Sequence, residues 1–164
     1  MKRIIVLGCP GSGKSVFSRK LRDATSLPLY HLDNLLYNPD KTKVSREEFN
    51  LKLYEILKND TWIIDGNYRR TIEPRLKMCD TVFLFDIDTN ECLSGVESRI
   101  GKQHDDLPWT EEGRDEEFIK FISSFKTDVL PDIMDRIEKV KENKKVYIFK
   151  TRKEADNFIS IIMK

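Results

Sequence analysis

The chain has 164 residues, of which 35% are charged, yet its formal net charge at pH 7 is only +1. A chain of this length can bury one hydrophobic core, so we expect a single domain over residues 1–164. The balanced charge argues against a direct nucleic-acid surface, and no apolar stretch is long enough to cross a membrane, which favours a cytoplasmic protein, monomeric or homodimeric.

The first element is an apolar strand, Arg3–Leu7, followed at residues 8–15 by Gly-Cys-Pro-Gly-Ser-Gly-Lys-Ser. This is a complete G-x-x-x-x-G-K-[ST] phosphate-binding loop, and an amphipathic helix follows it. Its glycines let backbone N–H groups point at one anion, and the helix N-terminus adds its positive dipole end. We expect Lys14 to reach the β- and γ-phosphates of ATP and the Ser15 hydroxyl to hold Mg²⁺. The residues expected to bind the nucleotide are Gly8, Pro10, Gly11, Ser12, Gly13, Lys14 and Ser15.

Four more short apolar runs predict strands, and helical patterns lie between them. The predicted strands are Leu29–His31, Trp62–Asp65, Thr81–Asp86 and Lys145–Phe149. Three of the helices begin at capping motifs, at Ser45, Asp88 and Thr151. An apolar stripe from Phe118 to Val140 predicts one long helix, kinked near Pro131. This alternation predicts a doubly wound α/β fold, in which ligands bind at the carboxyl ends of the strands.

Acidic residues lie at or beside the ends of three predicted strands. Asp65 closes the third strand, which usually neighbours the first in this fold, and we expect it to help organise Mg²⁺. Asp33 follows the second strand, where it can accept a proton from a substrate hydroxyl or simply cap a turn. Asp86 closes the fourth strand, and we assign it only a turn or capping role.

Two groups of arginines are candidates for phosphate binding, because a planar guanidinium suits bidentate contacts. Arg69 and Arg70 lie just past the third strand, which predicts a substrate-binding role. Arg99 ends a predicted helix, and Arg114 ends the polar stretch over about residues 101–114, which we interpret as a small lid. A phosphoryl-transfer site needs cations that arrive on closure, so we expect Arg99 and Arg114 to act there.

Several of these elements resemble the adenylate-kinase-type branch of the P-loop kinases. Asp65-Gly66-x-x-Arg69 is similar to the Asp-Gly-x-Pro-Arg signature of that branch, while residues 99–102 and 113–116 resemble the two ends of its lid. More closely, the whole chain resembles the DNA topology modulation (FlaR-related) proteins, which are small adenylate-kinase relatives. That resemblance rests on the phosphate loop, on His31-Leu32-Asp33, and on residues 62–68 and 79–86.

The resemblance implies a P-loop NTPase fold, a three-layer α/β/α structure with a five-stranded parallel sheet in the order 2-3-1-4-5. An acceptor-side helical segment is implied at about residues 32–58. The function implied is an ATP- and Mg²⁺-dependent phosphotransferase of nucleotide-kinase type, acting on a small-molecule acceptor that the sequence does not identify. The catalytic residues would then be Lys14, Arg99, Arg114 and Asp65, the metal ligands Ser15 and Asp65, and the substrate-binding residues Asp33, Arg69 and Arg70.

Two alternatives stay open. Where adenylate kinases carry a Thr-Gly-Asp-x-x-Arg acceptor element, this chain has His31-Leu32-Asp33-Asn34, so AMP is not required as the acceptor. If the acceptor carries a hydroxyl, Asp33 is the best base, and the protein is a small-metabolite kinase. The other alternative is a non-catalytic ATP-binding regulator linked to DNA topology, which should carry a basic face that the sequence does not show.

Overall fold

The computed structural model describes residues 1–163 and contains a five-stranded, all-parallel sheet with the strand order β2-β3-β1-β4-β5. The strands are β1 (Arg3–Gly8), β2 (Leu29–His31), β3 (Trp62–Asp65), β4 (Thr81–Phe85) and β5 (Lys145–Phe149). Connections from β1 run first toward β2 and then in the opposite direction toward β5. Because such crossovers are right-handed, this reversal places helices on both faces of the sheet. The predicted α/β fold and its strand order are confirmed.

Eight helices alternate with these strands in the described part of the chain. They are α1 (Lys14–Thr25), α2 (Leu32–Leu36), α3 (Arg46–Leu57), α4 (Ile72–Met78), α5 (Thr89–Glu97), α6 (Glu116–Asp128), α7 (Leu130–Glu138) and α8 (Arg152–Ile162). The predicted caps Ser45, Asp88 and Thr151 each accept a backbone N–H bond at the start of α3, α5 and α8. Within residues 1–163, no helix combines the length and the apolar character that a bilayer span requires.

The long kinked helix expected over residues 118–140 is two separate helices. Helix α6 ends at Asp128, and α7 begins at Leu130 with Pro131 in its first turn. Proline lacks an N–H group, which is no loss in the first turn of a helix but breaks the hydrogen bonding of a helix interior. The apolar stripe continues through both helices, with Ile122 and Ile133 fully buried, so the periodicity alone did not reveal the break.

The core consists of the three central strands and the aromatic side chains that cover them. Ile4, Ile5, Val6 and Leu7 of β1 are fully buried, and each such aliphatic side chain contributes about 1.5–3 kcal/mol. On one face, Phe17 of α1 packs edge-on against three sheet aromatics, at ring-centroid distances of 4.9–5.4 Å. This packing anchors α1, and therefore the loop that precedes it, over the sheet.

The strand register brings the carboxyl ends of four strands to one edge. Asp65 of β3 is level with Val6 of β1 and with His31 of β2, and Gly8 of β1 is level with Phe85 of β4. Two irregular segments flank this edge. Residues 37–43 form a small hairpin between α2 and α3, and residues 98–115 join α5 to α6 without a helix or strand.

Candidate active site

The phosphate-binding loop occupies residues 8–15, between β1 and the N-terminus of α1. Gly11 has φ +77°, and a Cβ there would lie 2.0 Å from the carbonyl oxygen of Cys92, so only glycine fits. The Lys14 ammonium donates to the carbonyl of Cys9 at 2.8 Å, which holds the cation across the loop. Glycine at position 11 therefore lets the loop pack closely against α5. A ligand anion would replace the Cys9 carbonyl as the partner of the Lys14 ammonium.

Ser15 and Asp65, the two predicted metal ligands, lie in direct contact. The Ser15 hydroxyl donates to Asp65 Oδ2 at 2.8 Å, and His31 Nδ1 lies 2.9 Å from the same oxygen. Asp65 is 5% exposed, and its second oxygen, Oδ1, is buried without a hydrogen-bond partner. The site therefore holds one satisfied and one free carboxylate oxygen beside the phosphate loop. Sequence reasoning did not assign His31, although its place at the end of β2 was the available signal.

The segment after β3 connects the phosphate loop to the opposite side of the site. The side-chain amide of Asn67 donates to the Gly8 carbonyl at 2.8 Å and accepts from the Gly8 N–H at 3.0 Å. The Tyr68 hydroxyl donates to Asp33 Oδ1. These contacts give a structural reason for the Asp-Gly-Asn-Tyr sequence, in which only the aspartate was predicted to have a role.

Arg75 of α4 binds the backbone of the segment that follows β3, residues 66–71. Its guanidinium is fully buried and donates to the backbone carbonyls of Gly66, Asn67, Tyr68 and Thr71, at 2.7 Å for Gly66 and 3.0 Å for Thr71. Burial lowers the pKa of Arg75 to about 9, so the group is still charged at pH 7. This role of Arg75 was not predicted from the sequence, where an arginine on the buried face of a short helix is a weak signal.

Asp33, the second residue of α2, lines the cavity. Burial raises the pKa of this carboxyl, and the nearby charge of Asp65 adds to the effect, while the hydrogen bond from Tyr68 opposes it. The result is an acid that retains its proton to a higher pH than an exposed aspartate does. Such a group suits proton transfer better than charge pairing.

The segment over residues 98–115 carries an ion-paired aspartate into the site. Asp106, which is 5% exposed, accepts from Arg99 Nη2 at 3.0 Å, and its other oxygen lies 3.6 Å from Arg19 Nη1. Burial opposes the ionisation of Asp106, but the charge of Arg99 and its hydrogen bond outweigh burial and hold the pKa of Asp106 below the usual range. Neither Asp106 nor Arg19 was identified from the sequence, because each is a single charged residue in a polar stretch or on a helix.

The remaining predicted arginines are placed differently from one another. Arg114 lines the cavity, is about half exposed, and pairs with Glu97 and Glu116 at its mouth. Arg69 donates to Asp132 Oδ2 at 3.1 Å. Arg69 and Arg70 are both exposed, and neither lines the cavity. The structure thus brings Arg99 and Arg114 to the site and places Arg69 and Arg70 outside it.

Two further groups line the cavity without having been predicted to act there. Arg152, the first residue of α8, donates to the carbonyls of Gly11 and Glu91, both at 2.8 Å, and so ties the phosphate loop to α5. Tyr37 of the small hairpin meets Trp109 edge-to-face at 5.0 Å. This aromatic pair joins the hairpin to residues 98–115 on the Asp33 side of the cavity.

The cavity has a volume of about 1070 Å³, slightly larger than most ligand pockets. Buried donors and buried acceptors without a partner at hydrogen-bond length both belong to its lining. The donors are Arg19 Nη1 and Arg99 Nε, the acceptors are Asp65 Oδ1 and Asp106 Oδ1, and His104 Nε2 is a further such atom; Arg19 Nη1 and Asp106 Oδ1 lie 3.6 Å apart. Unsatisfied donors call for an anion and unsatisfied acceptors for a cation, so a nucleotide phosphate with its Mg²⁺ fits this set.

A magnesium site of this kind needs few protein ligands. Within residues 1–163, no group of three or more His, Cys, Asp and Glu side chains could hold a metal ion by itself. Mg²⁺ in phosphate-transfer sites is held by one or two carboxylates together with phosphate oxygens and water. Ser15 and Asp65 therefore fit as its protein ligands when a nucleotide supplies the rest.

No protein-family model and no curated protein matches the chain. Solved structures match it in fold. A shikimate kinase from Bacteroides thetaiotaomicron is 13% identical, with a TM-score of 0.58, and the match covers 98% of this chain and 95% of that one. A sugar kinase from Janibacter sp. is 12% identical with a TM-score of 0.52, covering 98% and 91%. A protein from Chloroflexus aurantiacus that is assigned as a kinase is 14% identical with a TM-score of 0.56, covering 98% and 96%.

At this level of identity, the likeness establishes the fold of the P-loop kinases and no more. The three proteins bear kinase names, and none of the names concerns DNA topology. The resemblance to the topology modulation proteins therefore stays a prediction from the sequence.

Proposed function

We propose that the protein is a P-loop phosphotransferase that uses ATP and Mg²⁺ to phosphorylate a small-molecule acceptor. One observation carries the proposal: the Ser15 hydroxyl contacts Asp65 at the base of a complete phosphate loop, inside a cavity that Arg99 also lines. The kinase names of the three structural neighbours support the same reaction class.

Each residue has a defined task in this reaction. Lys14 leaves the Cys9 carbonyl and binds the β- and γ-phosphates, while Ser15 and Asp65 hold Mg²⁺. The metal that these two residues would hold would supply positive charge to offset that of the phosphates. His31 keeps Asp65 oriented through its 2.9 Å contact. The work of the protein is alignment and charge neutralisation, as in other phosphoryl transfers.

The acceptor side distinguishes two versions of this proposal. In the nucleotide-kinase version, Arg69 binds the acceptor phosphate, which requires it to leave Asp132 and turn toward the cavity. A hydroxyl acceptor is the second candidate, because Asp33 already lines the cavity and Tyr68 already orients it. The hydroxyl oxygen would then attack the γ-phosphorus, its proton would pass to the Asp33 carboxylate, and ADP would leave.

Calorimetric titration of ATP in the presence of Mg²⁺ tests the common part of both versions. Lys14→Ala should weaken binding by about 10- to 100-fold, since a charge-assisted hydrogen bond is worth roughly 1.5–3 kcal/mol. Lys52→Ala is the matched control, because Lys52 is exposed on α3 and pairs only with Glu48. Equal ATP affinities for wild type and Lys14→Ala would reject the proposed function.

A turnover panel then identifies the acceptor. Nucleoside monophosphates and hydroxylated metabolites are incubated with ATP, and ADP release is recorded. Turnover of a monophosphate that is lost in Arg69→Ala supports the nucleotide-kinase version, whereas turnover of a hydroxyl compound that is lost in Asp33→Asn supports the second candidate. Tight ATP binding without turnover of any acceptor would support the regulatory alternative instead.

A further inference from the structure

We propose that Asp106 is a second carboxylate of the magnesium site, carried to it by the segment over residues 98–115. The inference rests on the proposed function, since the metal arrives with a nucleotide. It assigns a metal-binding role to a residue that the phosphate-loop motif does not include.

The position of Asp106 follows from helix α1. Ser15 and Arg19 are four residues apart on this helix, so their side chains share one face. Arg19 Nη1 lies 3.6 Å from Asp106 Oδ1, which places the carboxylate over that face. Asp106 lines the same cavity as Ser15 and Asp65. A carboxylate from a segment distant in sequence therefore lies over the helix face that carries the Ser15 hydroxyl.

Two carboxylate oxygens at this point have no donor within hydrogen-bond length. The Ser15 hydroxyl gives its one proton to Asp65 Oδ2. Asp65 Oδ1 is buried without a donor, and Asp106 Oδ1, also buried, faces Arg19 Nη1 only at 3.6 Å. Buried carboxylate oxygens without donors are costly, and a divalent cation satisfies them.

The charges explain why the metal is needed when a nucleotide binds. Asp106 is neutralised by Arg99 at 3.0 Å and by Arg19 at 3.6 Å. Both arginines have nitrogen atoms that lack a hydrogen-bond partner, Nε of Arg99 and Nη1 of Arg19, and a phosphate would take them. Once the arginines turn to the phosphate, Asp106 needs another positive partner. Mg²⁺ at Ser15 and Asp65 supplies it.

Metal binding in the nucleotide complex tests this role directly. The full chain is saturated with the non-hydrolysable ATP analogue AMP-PNP, Mn²⁺ is titrated, and free Mn²⁺ is followed by electron paramagnetic resonance. Asp106→Asn should weaken Mn²⁺ binding by about tenfold or more, since it removes a charged ligand. Asp106→Glu keeps the carboxylate and should bind Mn²⁺ more tightly than Asp106→Asn does. Asp105→Asn is the control, because it removes the same charge from the exposed neighbouring residue.

A second titration, of AMP-PNP in the presence of EDTA, separates this role from its main rival. Under the proposal, Asp106→Asn does not weaken metal-free nucleotide binding. If instead Asp106→Asn leaves Mn²⁺ affinity unchanged, the inference is wrong. Nucleotide binding that becomes tighter equally with and without metal would then show that Asp106 is only an anion in the position of a phosphate. A wild-type protein that binds no AMP-PNP would reject the proposed function as well.

Discussion

Arg75 offers a quantitative test of how the site is held together, because its charge is buried away from any ligand. The guanidinium is fully buried and donates to four carbonyls of the segment that follows Asp65. Burial lowers its pKa from 12.5 to about 9, so the guanidinium keeps its charge at pH 7. A hydrogen bond from a charged donor contributes about 1.5–3 kcal/mol, so the four carbonyls together depend strongly on this one side chain.

Replacing Arg75 with methionine keeps most of the volume but removes every donor. The carbonyls of Gly66, Asn67 and Tyr68 then lose their charged partner inside the fold. We expect the free energy of unfolding to fall by about 3–5 kcal/mol, because a buried carbonyl left without a donor costs about 1–3 kcal/mol and several are affected. Arg70→Met is the matched control, since Arg70 is exposed, and it should change stability by less than about 0.5 kcal/mol.

Urea denaturation followed by circular dichroism measures both variants. The midpoint should fall for Arg75→Met while the slope of the transition stays the same, because the surface exposed on unfolding is nearly unchanged. A loss below about 1 kcal/mol would refute the reasoning, since a change that small is ordinary for a substitution without buried unpaired groups. In that case the segment after β3 is held by its backbone alone.

Three further predictions concern the phosphate loop, the acceptor side and the lid. Gly11→Ala should abolish nucleotide binding measured by calorimetry, because its Cβ would lie 2.0 Å from the Cys92 carbonyl, whereas Gly113→Ala, with open space around it, should bind normally. Asp33→Asn should stabilise the protein more at pH 7 than at pH 4 in urea titrations: burial raises the folded-state pKa, so the wild type loses stability as pH rises from the unfolded-state pKa through the folded-state one and loses no more above it. With an identified acceptor, Arg99→Ala should lower the single-turnover rate by about 10²-fold or more, a larger loss than its weakening of ATP binding, and a near-normal rate would reduce Arg99 to a structural partner of Asp106.

The elements that sequence predicted well are those whose signal is local. Short apolar runs predicted every strand to within one residue at its end, and the caps at Ser45, Asp88 and Thr151 marked three helix starts. The strand order came from the family resemblance, because order depends on contacts between distant residues. The break at Val129 was missed since the apolar periodicity of α6 and α7 runs through it.

The candidate site could be predicted only where a motif defines it. The phosphate loop places Lys14 and Ser15, and the end of β3 places Asp65 beside them. Asp106 and Arg75 could not be found in this way. Each acts through contacts with residues that are distant in sequence, and the residues beside it in the chain form no motif that predicts those contacts. Arg69 shows the converse. Its position after the third strand matches a known signature, yet the side chain lies on the surface, where Asp132 binds it.

Residues 65–68, the last residue of β3 and the three that follow it, connect the metal side and the acceptor side of the proposed reaction. Asp65 contacts Ser15 on the metal side, Asn67 binds the backbone of Gly8 in the phosphate loop, and Tyr68 orients Asp33 on the acceptor side. Arg75 binds the backbone carbonyls of this segment, so we expect the ATP side and the acceptor side of the site to keep a constant relative position. The parts left free to differ between substrates are the hairpin at residues 37–43 and the segment at 98–115, which meet through an aromatic pair. Acceptor specificity should therefore reside in those two segments, while the segment after β3 maintains the alignment that phosphoryl transfer requires.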